Sequence, residues 1–191
     1  LSSAEAKQQL GLAAHKRTIL FFGLIRPYKG LLELIEAFAL LDDDYQLLIA
    51  GEVYGDPQPY FEALNRLPFK NWKFECGYIP EQEVSSYFCA ADLVVLPYLS
   101  ATQSGIRAMA LAQKKAVLCT NVGGLAEGLE AQAHGFELHD LAPSAFAARV
   151  QTLFNQGDIE KCNQQLASMA LQLDTAWIQF AKGLITLAEE A

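Results

Sequence analysis

The stretch "TILFFGLIRPYKGLLELIEAFALL", residues 18–41, sets the architecture of this chain. Its first five residues are bulky and apolar, a strand by length. Gly23 ends the run. From Leu31 the period changes, and Leu31, Leu34, Ile35, Phe38 and Leu41 fall on one helical stripe. Arg26, Pro27, Lys29 and Gly30 lie between strand and helix. Two readings suit that loop. One is an ordinary strand-to-helix turn with solvated charges. The other is a cradle for an anion, because the first N–H groups of a helix are free and its dipole is positive there. Pro27 stiffens the loop, and Gly30 permits backbone angles closed to other residues.

The same alternation continues along the chain. "YQLLIAG" (45–51) is a second apolar run ending in glycine, and "DPQPYFEALNRL" (56–67) is helical with prolines at its start. "WKFECG" (72–77) reads as an edge strand and "PEQEVSSYFCAA" (80–91) as a helix. "DLVVLPY" (92–98) is the clearest buried strand. "SGIRAMALAQ" (104–113) is a helix of small residues, "AVLCT" (116–120) another buried strand, and "GFEL" (135–138) a weak last one. Helical stretches follow at 143–155, 158–170 and 174–190. Strands that read as continuous apolar runs belong to sheets covered on both faces. The fold class is therefore α/β, a doubly wound parallel sheet of Rossmann-like type with a helical C-terminal end. No linker interrupts it, so residues 1–191 make one domain.

The chain is 52% hydrophobic, too apolar for disorder. No apolar run reaches membrane-spanning length. The start, "LSSAEAKQQLGL", lacks the basic-then-apolar pattern of a signal peptide and lacks an initiator methionine. The expectation is a fragment of a longer, cytoplasmic protein. Fourteen basic residues against 22 acidic ones give a net charge of −8, which argues against nucleic acid as a partner. Cys76, Cys89, Cys119 and Cys162 are widely spaced and read as reduced thiols. His15, His134 and His139 are scattered, with no ligand spacing, so no metal is expected. No nucleophile elbow, dinucleotide fingerprint or phosphate-binding P-loop is present, and no cofactor is implied.

In such sheets ligands bind beyond the carboxyl ends of the strands. Three glycine-bearing loops lie there. The first holds Arg26 and Lys29. The second, "ATQSGIRAM" (101–109), places Ser104 and Gly105 at the start of a helix. Ser104 there is a helix cap, a phosphate neighbour, or both. The third, "TNVGGLAE" (120–127), sets a double glycine between a strand and a short helix. It is a tight turn by itself, and part of a site if the three loops converge.

The motifs "GLIRPYKGLLELIEAFALL", "YQLLIAGE", "GYIPEQEVSSYFCAADLVVLPY" and "SGIRAMALAQKKAVLCTNVGGLAE" resemble, in that order, the C-terminal half of a retaining glycosyltransferase of GT-B fold, family 4. The likeness runs from about Thr18 to Leu187. It implies a nucleotide-sugar-binding domain whose N-terminal partner, the acceptor half, is absent here. It implies transfer of a sugar from a nucleotide diphosphate to a glycan or lipid-linked acceptor in bacterial polysaccharide biosynthesis. Any membrane association would come through the missing half, at the inner face of the membrane.

Residue by residue, the resemblance puts Lys29 on the donor diphosphate, with Arg26 replacing an arginine usual at the position of Leu24. Ser104, Gly105 and Ile106 match amides on the distal phosphate. Gln103 falls near the sugar or ribose, and Tyr78 and Ile79 near the nucleobase. No residue of this half stands out as the catalytic acid or base, and the isolated half is expected to be inactive. Two glutamates common in the family are replaced by Ala101 and Met109. That departure leaves open a catalytically degenerate binding or scaffolding module. A nucleotide-sugar epimerase domain is a further alternative.

Overall fold

A computed structural model describes residues 1–127, 129 and 134–170. Six strands form one parallel sheet: β1 (Arg17–Phe22), β2 (Tyr45–Gly51), β3 (Trp72–Cys76), β4 (Leu93–Leu96), β5 (Ala116–Thr120) and β6 (Gly135–Leu138). Their order is β3-β2-β1-β4-β5-β6, so the winding reverses between β1 and β4. The doubly wound expectation holds, and "WKFECG" is an edge strand, half-buried.

Side chains of β1 alternate between two helical layers, as a pleated strand requires. Ile19 and Phe21 face one layer, built from α2 (Leu31–Phe38), α3 (Gln58–Asn65), α6 (Pro143–Asn155) and a helical stretch at 158–170. Leu20 and Phe22 face the other, with α1 (Ser3–Gln9), α4 (Glu81–Ala90) and α5 (Gly105–Ala112). All five residues of the α2 stripe are buried. Each such side chain contributes roughly 1.5–3 kcal/mol through removal from water.

Three details differ from the expectation. The helix expected over 31–41 stops at Phe38, although Leu41 still reaches the core. Residues 123–127 run as turns, not as a short helix. And α1 was not foreseen. Its signal is nonetheless in the sequence: Ser2 and Glu5 form a reciprocal capping box. The helix expected at 174–190 lies outside the described residues. All four cysteines are free thiols, Cys119 and Cys162 buried. No described helix is long and apolar enough to cross a membrane.

Candidate anion-binding cleft

The winding reversal opens a cleft of about 620 Å³ between the loops that follow β1 and β4. A crevice at such a reversal is where sheets of this type take ligands. Its walls include Tyr28, Lys29, Tyr98, Gln103 and the start of α5 at Ser104, Gly105 and Ile106.

The loop after β1 reaches the cleft through a 3-10 turn, Pro27–Lys29. Gly30 ends it in the left-handed region, φ 72°. A Cβ there would lie 2.0 Å from the Pro97 carbonyl oxygen, so only glycine allows the two loops to close. This closure buries Lys29, which keeps 9% of its exposure. No carboxylate pairs with it among the described residues. Burial and then the nearby Arg26 charge push its pKa below the ordinary lysine value. A buried, unpaired ammonium on a cleft wall is a costly arrangement that an anionic ligand relieves.

The second wall is the N-terminus of α5. Ser104 caps it, its Oγ accepting from the Arg107 N–H at 3.3 Å. The third glycine loop supports this wall. Gly124 donates its N–H to the Thr102 carbonyl at 3.1 Å. Gly123 sits where a Cβ would overlap the Ala101 carbonyl oxygen. The three loops thus converge.

Not every expected residue reaches the cleft. Lys29, Gln103, Ser104, Gly105 and Ile106 line it. Arg26 does not: its guanidinium stacks over the Tyr54 ring, 4.4 Å from the centroid. Tyr78 is 77% exposed beyond the carboxyl end of β3, two strands from the cleft, and Ile79 packs on the second core cluster. Ala101 lines the cleft, whereas Met109 packs on the core beneath α5. Two lining residues, Tyr28 and Tyr98, were not foreseen. Nothing local marks them, because their role depends on β1 lying beside β4.

A larger cavity, about 790 Å³, opens at the opposite, amino ends of the strands. Two of its cations serve the protein itself. Lys115 Nζ donates to the Ala91 carbonyl at 2.8 Å, just past the end of α4. Lys7 pairs with Asp92 at 2.9 Å. Lysines at helix C-termini are ordinary dipole partners. No cluster of three or more His, Cys, Asp or Glu suited to a metal occurs among the described residues.

A parallel sheet with a cleft at its winding reversal is a Rossmann-like arrangement, and it matches one half of a GT-B fold. The model of the family described as Glycosyl transferases group 1 matches residues 16–156, and the chain belongs to that family. Among relatives, it is 32% identical over 121 residues to a Bacillus subtilis (strain 168) glycosyltransferase, TuaC, named for teichuronic acid biosynthesis. That match covers 63% of this chain and 29% of the relative. Among solved structures, Anabaena HepE in complex with UDP superposes with a TM-score of 0.76 at 21% identity, covering 96% of this chain and 52% of that one. The C-terminal domain of a glycosyl transferase group 1 family protein (LpcC) from Francisella tularensis gives 0.75 at 22% identity, covering 90% and 92%. The chain spans less than half the length of the curated relatives it matches.

Proposed function

We propose that this chain is the donor-binding half of a retaining sugar transferase, which moves a sugar from a nucleotide diphosphate to a glycan or lipid-linked acceptor. The observation that carries the reading is Lys29, buried on the wall of the cleft that α5 opens into and paired with no carboxylate among the described residues. Lys29 and the free amides of Gly105 and Ile106, with Ser104, hold the diphosphate. Those groups stabilise charge that grows on the leaving diphosphate as the sugar departs, which is electrostatic catalysis in a preorganised site. Gln103, exposed on the cleft wall, takes a hydroxyl of the sugar through its neutral amide. Arg26 adds field from its place on Tyr54. The backbone at Tyr78 and Ile79, beyond the carboxyl end of β3, meets the base.

The acceptor and the remaining catalytic groups belong to an N-terminal half, so this chain alone binds donor and does not turn it over. The Bacillus relative is named for teichuronic acid biosynthesis, which supports a biosynthetic transfer. The reaction takes place in the cytoplasm, at the inner face of the membrane. A second reading is favoured by Ala101 and Met109, which offer no carboxylate to the ribose or sugar: a binding module that has lost its donor.

Calorimetry with UDP and GDP separates the two. A charge-assisted hydrogen bond contributes roughly 1.5–3 kcal/mol, so Lys29→Ala weakens the better nucleotide about 10- to 150-fold. Arg26→Ala costs less. Lys16→Ala, at the amino edge of the sheet and paired with Asp43, is the control and binds as the parent does. Equal binding by the Lys29 and Lys16 variants refutes the diphosphate site. Absence of saturable heat in the parent chain favours the donor-less module.

A further inference from the structure

We propose that Tyr98 is the positioning residue of this cleft: its ring keeps the Lys29 ammonium charged, and its hydroxyl holds that charge in register with the N-terminus of α5. The inference rests on the diphosphate reading above.

Tyr98 stands at the meeting point of the three loops. The Lys29 Nζ lies 5.5 Å from its ring centroid, within cation–π range. Its hydroxyl is 3.5 Å from the Ser104 Oγ, the cap of α5. Its carbonyl accepts from the Thr120 hydroxyl at 2.6 Å, which ties the residue to β5. Tyr28 packs edge-on against the same ring, centroids 6.2 Å apart. One side chain therefore touches the cation and the helix start, which come from loops about 75 residues apart in sequence.

The charge balance explains why a ring is needed. Lys29 faces Arg26 from its own loop, a like charge, and Tyr28 and Tyr98 from the walls. Burial and Arg26 both favour the neutral amine, which cannot attract a diphosphate by charge. The π face of Tyr98 opposes them. Tyr98 itself stays neutral, its pKa raised chiefly by burial. So does Cys119 beneath it, pushed up to about 11, with the Arg107 charge a smaller, opposing influence. A phenolate or thiolate is therefore not the stabilising group.

The competing account is that Tyr98, 3% exposed, only fills space. Calorimetry with the better of UDP and GDP across pH 7 to about 10.5, the upper end being the ordinary range for lysine, decides between them, each variant's limb being read relative to the parent's because the nucleobase itself ionises in that range. Binding requires protonated Lys29, so parent affinity falls as pH rises through the Lys29 pKa. Tyr98→Phe keeps the ring; the alkaline limb stays in place and affinity drops about threefold from the lost hydroxyl contact. Tyr98→Met keeps bulk without a π face; the limb moves to lower pH, and on the alkaline side of the parent's limb affinity drops roughly 5- to 30-fold relative to the parent. Pentafluorophenylalanine at position 98 keeps the ring's shape and removes the negative face, so it reports the same shift even if the methionine variant fails to fold. A limb that stays put in whichever of these two variants folds overturns the proposal. If the parent chain binds neither UDP nor GDP, the diphosphate reading falls and this inference with it. Saturable parent binding with an unmoved limb removes this inference alone.

Discussion

The Leu99 N–H donates to the Tyr28 carbonyl at 2.7 Å, which fastens the loop after β4 to the loop after β1 across the winding reversal. The bond lies beside the point where Gly30 meets the Pro97 carbonyl. Both walls of the cleft thus depend on backbone contact between loops remote in sequence. Gly30→Ala breaks that contact. It forces alanine into the left-handed region and drives a methyl into a carbonyl, so it destabilises by about 3 kcal/mol. Gly11 is the comparison, since it is also left-handed (φ 69°) but has open space around it. Gly11→Ala costs only about 1 kcal/mol. Urea unfolding of the two variants measures the difference.

Lys29 trades stability for binding. Lys29→Met removes a buried charge that pairs with no carboxylate among the described residues, so the ligand-free variant melts at a higher temperature than the parent while its nucleotide binding collapses. The sign of the pH dependence follows from the lowered pKa. Between the folded pKa and the ordinary value of 10.5, the folded chain binds fewer protons at Lys29 than the unfolded chain. Parent stability from this group therefore rises with pH in that window. The advantage of the methionine variant is largest below the folded pKa and shrinks above it. Thermal melts at pH 7 and near pH 10 read this directly.

Lys114 ends α5 in a left-handed conformation, φ 59°. The Lys115 N–H bonds back to the Ala110 carbonyl and the Lys114 N–H to the Leu111 carbonyl, the double closure of a Schellman cap. Glycine suits that position better. Lys114→Gly is expected to stabilise by about 0.5–1 kcal/mol, the relief of strain exceeding the added freedom of the unfolded chain. A rise in the urea midpoint with unchanged slope confirms it.

Asp92 anchors the amino end of the sheet. Its Oδ2 accepts from the Thr18 N–H at 2.7 Å and from Lys7 Nζ at 2.9 Å. Lys7 is only 5% exposed. Asp92→Ala strands that ammonium and leaves the Thr18 amide unpaired, at a cost of about 3 kcal/mol. Lys7→Met costs less, because it leaves no buried charge behind. Denaturant titration ranks the two, and the reverse order contradicts the argument.

The thiols divide by burial. Cys119 and Cys162 are pushed up to about 11 by desolvation and are shielded from solvent. Cys76 is exposed. At pH 8 the native chain reacts rapidly with a disulfide reagent at Cys76 and slowly at the two buried sites, and unfolding in guanidinium equalises the rates. Peptide mapping after brief labelling identifies the sites.

The order of strands and helices was legible in the sequence because a strand or a helix is recognised from neighbours a few residues apart. The apolar run of β1, the stripe of α2 and the glycine at its start all lie within 18–41. That the βα loops share one edge also follows, since parallel strands all end on the same side. Even α1 was announced by Ser2 and Glu5, though its burial rests on Ala6 and Lys7 finding the sheet. The tertiary structure alone decided that β1 lies beside β4. That pairing brings Tyr98 under Lys29, latches Leu99 to Tyr28 and buries the lysine whose charge makes the cleft. On the other side of β1, its pairing with β2 brings Tyr54 beside the loop and takes Arg26 away from the cleft, which no spacing in the loop foretells. Strand order is set by the packing of side chains distant along the chain, and a local pattern of apolar residues carries no record of which partner each strand will choose.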